Sequence, residues 1–287
     1  MNGGMRAEEM ADCTVKDSPR LRLVVPAEAA NVALVRHALA GLAEGCGMDP
    51  AGISDLKTVV TEACMNVVVH AYPDETGPLE VDAEPLDDVV RIRIVDRGVG
   101  FQPRPDVDSP GSSLRIGLSL VATLSRNFSI KGRSEGGTEV TIDMPLAHPG
   151  PPPHVHEDVE VEPAVKEVRI SASDAALLEG VLSRAVSAFV LRRDLGVDQV
   201  TDAILLADTV SHFSSTEFGD EDLTFALADG DGGIDLTVGP LGAGGGERLR
   251  RGLELPDEIG TIEALVDGVE IESHDDGEYV AFRIAPR

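Results

Sequence analysis

Basic residues are scarce in this chain: 24 lysines and arginines stand against 51 aspartates and glutamates, a formal charge of −27 over 287 residues. A surplus of that size repels nucleic-acid phosphates and anionic membranes, which argues against direct nucleic-acid binding unless the fold gathers a local basic patch. Proteins or a metal-bound nucleotide fit the charge better as partners. Cysteine is nearly absent, and Cys13, Cys46 and Cys64 form no metal-type cluster and leave one unpaired, as suits a reducing compartment. No apolar run approaches the ~20 residues that span a bilayer. The N-terminus carries Glu8, Glu9 and Asp12 in place of a signal-type apolar core. The expected location is therefore soluble and cytoplasmic. Gly-Lys-Ser/Thr occurs nowhere, so a P-loop is excluded, and any bound phosphates must be held by a metal ion and by backbone amides.

What is present centres on Val59 to Tyr72, which reads Val-Val-Thr-Glu-Ala-Cys-Met-Asn-Val-Val-Val-His-Ala-Tyr. Glu62, Asn66 and His70 recur every four residues, and in a helix of about 3.6 residues per turn all three project from one face. Val59, Val60, Ala63, Val67 and Val68 fall mostly on other faces and bury the helix. Taken alone, such a stripe is also what a solvated helix face looks like. Downstream, the alternating strand Ile92-Arg93-Ile94-Val95 runs into Asp96-Arg97-Gly98-Val99-Gly100, and Glu135-Gly136-Gly137-Thr138 leads into a further alternating strand.

Glu-x-x-x-Asn, Asp-x-Gly-x-Gly and Gly-Gly-Thr, in this order and spacing, resemble the N, G1 and G3 boxes of the GHKL ATPase superfamily. The form around Glu62 and Asn66 is most similar to the anti-sigma-factor serine/threonine kinases of the SpoIIAB and RsbW type. The resemblance spans roughly residues 20 to 147. It implies an α/β fold, a two-layer α+β sandwich of the Bergerat ATP-binding type, with helices on one face of a mixed, mainly antiparallel sheet.

The pattern along the chain agrees. Residues 1–20 are an unpatterned tail. Leu21 to Val25 read as a strand and Ala27 to about Gly45 as a helix. Asp49-Pro50 supplies a cap and first turn for the long helix, which Pro73 ends. Strands follow at Leu79 to Glu84 and Val89 to Val95, then a loop over Gln102 to Ser113, a helix over Leu114 to Leu124, and a hairpin of Phe128 to Lys131 with Thr138 to Met144.

By the resemblance, ATP with Mg²⁺ is the cofactor, and the loop after Gly100 is the lid over the triphosphate. Asp96 accepts from the adenine amine, Gly98 and Gly100 let the base approach, and Thr138 supports the Asp96 contact. Asn66 offers its amide oxygen to Mg²⁺, which favours oxygen ligands, and Glu62 takes the proton of the attacking hydroxyl or orients it. His70 has two readings, a phosphate contact or a packing residue under the lid. Arg36, on the first helix, is either a partner contact or a solvated arginine. The G2 box departs from the family pattern: of its two glycines only Gly117 remains, and Arg115 stands at the first, either as a phosphate ligand or as an obstruction. The implied function is phosphorylation of a serine on a STAS anti-anti-sigma protein, with sequestration of a sigma factor alongside it or instead. Two alternatives remain: a non-catalytic, nucleotide-responsive binding regulator, and a histidine-kinase fragment.

Residues 148–163, proline-rich and then acidic, read as a linker, and His148, His154 and His156 there fit incidental residues better than a metal site. From 164 to 287 the chain repeats the first pattern in degenerate form. The expected counterparts are Val168 to Ser171, Asp174 to Leu191, Val197 to Phe213, Ile234 to Val238, Ile259 to Val266 and Glu278 to Ala285. Asp208 and His212 take the places of Glu62 and Asn66, and Gly239-Pro240 that of Asp96. Gly242 to Gly246 reads as a remnant loop that opens no helix. The second copy is therefore expected to bind no ATP. It takes the place of a second protomer in a pseudo-dimeric monomer, the other arrangement being a homodimer.

Overall fold

The computed structural model describes residues 20–100, 113–146, 167–193, 195–218, 222–230, 233–253, 262 and 265–285. The tail, the lid and the linker with its three histidines lie outside them. The first half runs β1 (Leu21–Pro26), α1 (Ala29–Gly45), α2 (Pro50–His70), β2 (Pro78–Pro85), β3 (Val89–Asp96), α3 (Ser113–Leu124), β4 (Asn127–Gly132) and β5 (Thr138–Pro145). The second runs β6 (Val168–Ala172), a 3-10 turn at Ala175–Leu178, α4 (Leu182–Val190), α5 (Val197–Glu217), β7 (Leu223–Asp229), β8 (Ile234–Leu241), α6 (Gly245–Gly252), β9 (Gly268–His274) and β10 (Gly277–Ile284).

The ten strands form one sheet in the order β4-β5-β3-β2-β1-β6-β7-β8-β10-β9. Outward from the β1–β6 seam, each half repeats the same sequence of strands. Among the described residues every neighbouring pair is antiparallel, without the parallel component expected of a mixed sheet. At the seam Leu21 faces Ala172 and Val24 faces Arg169.

Strand alternation sorts the two faces. Leu21, Leu23, Val81, Ile92, Ile142, Ile170, Phe225, Leu236 and Phe282 share one hydrophobic core with the helices. The opposite face of the first half carries charge. Glu80 takes Arg22 and Arg97, each at 2.7 Å, Asp82 takes Arg20 at 2.6 Å and Arg93 at 3.1 Å, and Asp143 takes Arg91 bidentately at 2.8 and 3.0 Å. All three carboxylates are buried, and each is hydrogen-bonded to its arginines, as a buried charge requires.

Local chemistry sets the helix ends. Asp49 accepts from the N–H of Gly52 at 2.7 Å with Pro50 in the first turn, the cap read from sequence. The single helix expected over Asp174 to Leu191 is divided: Asp174 caps the 3-10 turn, Gly180 takes φ +73°, and α4 begins only at Leu182. Helices α1 and α4 pack across the seam. There a methyl group on Gly41 would lie 2.4 Å from the carbonyl oxygen of Gly180, and Glu44 pairs with Arg184. Two strands not named from sequence, β7 and β9, complete the second half. No helix among the described residues is long and apolar enough to cross a membrane.

Candidate functional site

Asp96 ends β3 on the core-facing side, opposite Leu79 of β2, with 4% of its surface exposed. Burial pushes its carboxyl above the ordinary value. Hydrogen bonds from the N–H of Gly98, at 3.0 Å, and from the backbone and hydroxyl of Thr138 pull the other way, as does the charge of Arg133. A carboxylate offers about four lone-pair positions. Gly98 and Thr138 occupy part of these, which leaves acceptor capacity for a further donor.

The turn around Asp96 is built by close backbone approach. A methyl on Gly98 would lie 2.0 Å from the carbonyl oxygen of Ala71, the residue after α2, and that same oxygen accepts from Val99 N–H at 2.9 Å. Gly100 takes φ +76° beside Gly137. Gly137, at φ +87°, brings its Cα so close that a methyl would sit 2.0 Å from the carbonyl oxygen of Asp96. Thus Asp96, Gly98 and Gly100 stand together with Thr138, some forty residues further on, and with the end of α2.

Tyr72 fixes the assembly and was not singled out from sequence. Its hydroxyl accepts from Arg97 N–H at 2.8 Å and donates to the carbonyl of Pro78 at 2.6 Å, stapling the end of α2 to β2 and to the Asp96 turn. Burial pushes its hydroxyl up to about 12. The signal in sequence was a lone tyrosine immediately before the proline that ends the helix. The role of Gly137 was legible only as a glycine pair ahead of a strand.

Glu62 and Asn66 lie on α2 at half-buried positions, and His70, in its last turn, is exposed. At 1.5 Å per residue they stand about 14 and 8 Å back along the helix from Ala71. Gly117 brings α3 against Glu62: a methyl there would meet its Oε2 at 2.6 Å. The side-chain nitrogen of Asn66 is buried without a hydrogen-bond partner. That nitrogen is a donor left unpaired at a half-buried position. No cluster of three histidine, cysteine or acidic side chains able to hold a metal occurs among the described residues. Arg36 sits half-buried on α1, and the side chain of Arg115 lies outside the described residues.

The corresponding region of the second half differs at each position. Helices α2 and α5 both have 21 residues, and their buried positions match at a constant offset, from Leu56 with Ala203 to Val67 with Ser214. Thr209 then stands for Glu62 and Phe213 for Asn66, one residue along from the expected Asp208 and His212. Val238 faces Phe225 as Ile94 faces Val81, which gives Pro240 the place of Asp96. Val280 faces Val238 as Val140 faces Ile94, but a bulge between Glu278 and Val280 then sets Glu278 opposite Leu241, so the register of Thr138 is not kept there.

A family model for the histidine kinase-like ATPase domain matches residues 25–144. Similar curated proteins include the serine-protein kinase RsbW of Bacillus cereus and that of Bacillus mycoides. Each is 30% identical over 122 residues, covering 39% of this chain and 76% of the relative.

Proposed function

Because the chain belongs to the histidine kinase-like ATPase family, in the branch of the RsbW-type serine-protein kinases, we propose that its first half binds MgATP and transfers the γ-phosphate to a serine of a STAS anti-anti-sigma protein, with a sigma factor as the other partner. The observation that carries this reading is the buried Asp96 carboxylate, with acceptor capacity left and the glycine-built turn packed around it. Adenine suits that position because its exocyclic amine is a donor and its flat ring needs the backbone bare of side chains. Gly98, Gly100 and Thr138 complete the base site.

Asn66, one helical segment away, would hold Mg²⁺ through its amide oxygen, and the ion would supply neutralisation of phosphate charge. Glu62, a further turn back and against α3, would take the proton of the serine hydroxyl as its oxygen attacks the γ-phosphorus, while the bond from that phosphorus to the bridging oxygen breaks and ADP leaves. His70 and Arg115 are assigned to the phosphate end and Arg36 to the protein partner. Residues 168–285 form a degenerate copy, seated where a second protomer would otherwise extend the sheet. The non-catalytic regulator is favoured by Arg115 at a glycine position of the G2 box and by the degenerate second half.

Glu62→Gln tests the reading. A lost general base costs about 10²- to 10⁴-fold in rate while leaving the base site intact. The expected result is unchanged MgATP affinity with phosphoryl transfer to the STAS protein reduced by that factor. An unchanged rate removes Glu62 from the mechanism, and a wild-type protein that binds MgATP without transfer favours the regulator.

A further inference from the structure

Gly242 to Gly246 reads in sequence as a breaker, yet α6 opens at Gly245, with Gly244 at φ +74° turning the chain into it. A helix start leaves N–H groups without intrahelical partners and carries partial positive charge. Here Gly244 N–H donates to Glu278 Oε1 and Gly246 N–H to Glu278 Oε2, each at 2.9 Å. One carboxylate, 34 and 32 residues along the chain, thus engages an amide with each oxygen. The N–H of Gly244, followed by that of Gly246, holds its carboxyl below the usual value. The approach needs a bare backbone, because a methyl on Gly246 would meet Glu278 Oε2 at 3.1 Å and Ile271 at 2.8 Å.

The register gives this contact its meaning. Glu278 lies two residues before Val280 at the start of β10, and a bulge between them sets it opposite Leu241, at the end of β8 from which the chain runs into α6. In the second half the acceptor is gone, Pro240 standing in its place. The ring of Phe213, in the place of Asn66, fills the space beside α6, where a methyl on Gly252 would lie 1.9 Å from it.

We propose that Glu278 is a built-in anion: its carboxylate sits on the Gly244 and Gly246 amides where an external anion would otherwise sit and ties α6 to β10. The amides at the start of α6 are thereby closed to an external anion. The inference stands on the second half alone and does not depend on the nucleotide reading of the first.

Hydrogen–deuterium exchange on the full-length chain tests it, read over peptides spanning 242–252. Losing two hydrogen bonds to a charged acceptor in Glu278→Ala should speed exchange of those amides by about tenfold or more. Glu278→Gln keeps the size and one acceptor oxygen and should give a smaller acceleration. Inorganic phosphate should restore protection in Glu278→Ala and leave the wild type unaffected. Unchanged exchange in both variants overturns the proposal, as does phosphate protecting the wild-type segment to the same degree. Should Glu278→Ala also loosen β6 and β7, Glu278→Gln decides: acceleration confined to 242–252 supports the proposal, and none overturns it.

Discussion

Gly98→Ala is the perturbation that strains the Asp96 turn most directly. Its Cβ would lie 2.0 Å from the carbonyl oxygen of Ala71 and 2.5 Å from the carbonyl carbon, both backbone atoms at the end of a helix. Ordinary carbon–oxygen contacts are about 3.3 Å or longer, so the turn must move by more than an ångström. That movement breaks the 2.9 Å bond from Val99 N–H to Ala71, worth about 0.5–1.5 kcal/mol, and overpacks a rigid corner at about 1–3 kcal/mol. The sum is about 2–4 kcal/mol. The bond from Gly98 N–H to Asp96, at 3.0 Å, moves with it, so the acceptor loses its aim as well. Urea unfolding should show the stability loss, and MgATP titration a Kd raised at least tenfold, the consequence of about 1.4 kcal/mol. Gly132→Ala is the control: nothing lies within 4 Å of its added methyl, and stability should hold or rise by up to about 1 kcal/mol as the unfolded chain loses freedom. A Gly98→Ala protein within about 0.5 kcal/mol of wild type would refute the reasoning.

Tyr72→Phe keeps the ring and removes the hydroxyl that joins Arg97 to Pro78. Two hydrogen bonds at about 1 kcal/mol each predict a loss of about 2 kcal/mol with weakened MgATP binding, and affinity equal to wild type in calorimetry would dismiss Tyr72 as a positioning residue. At Asp143 burial alone would raise the carboxyl, but hydrogen bonds from Arg91 and Asn127 outweigh it and hold it below the ordinary value. A depressed carboxyl stabilises the fold above the unfolded-state value and loses that contribution as pH falls through the folded one. Asp143→Asn should therefore cost about 1–2 kcal/mol at neutral pH, discounted for the exposure of Arg91, and flatten the acid limb of the stability curve below about pH 4. An acid limb identical to wild type would show that the pair contributes nothing.

The first half was legible because its signals are local. Asp49-Pro50 starts a helix, Pro73 stops it, and Ile92-Arg93-Ile94 alternates into a turn whose glycines announce themselves. The second half was harder because its decisive contacts are distant. A glycine run has poor helix propensity, and α6 forms there with the carboxylate of Glu278, remote in sequence, closing its first turn. Counterparts of Glu62 and Asn66 sought by side-chain chemistry led to Asp208 and His212, one position away from Thr209 and Phe213. Burial, not polarity, sets the helical register, and burial follows from a core that no single segment contains. The strand β9 runs Val-Glu-Ile-Glu-Ser-His along the sheet edge with little of it buried, so alternation there reflects pairing with β10 more than a core face.

The central claim is a single working nucleotide site, in the first half and organised on Asp96. Calorimetric titration of MgATP into the wild type and into Asp96→Asn tests it most directly, because the amide places a donor among the donors of Gly98 and Thr138. The account predicts one nucleotide per chain for the wild type and binding weakened at least a hundredfold for Asp96→Asn. Two nucleotides per chain, or a variant that binds as tightly as the wild type, would contradict it.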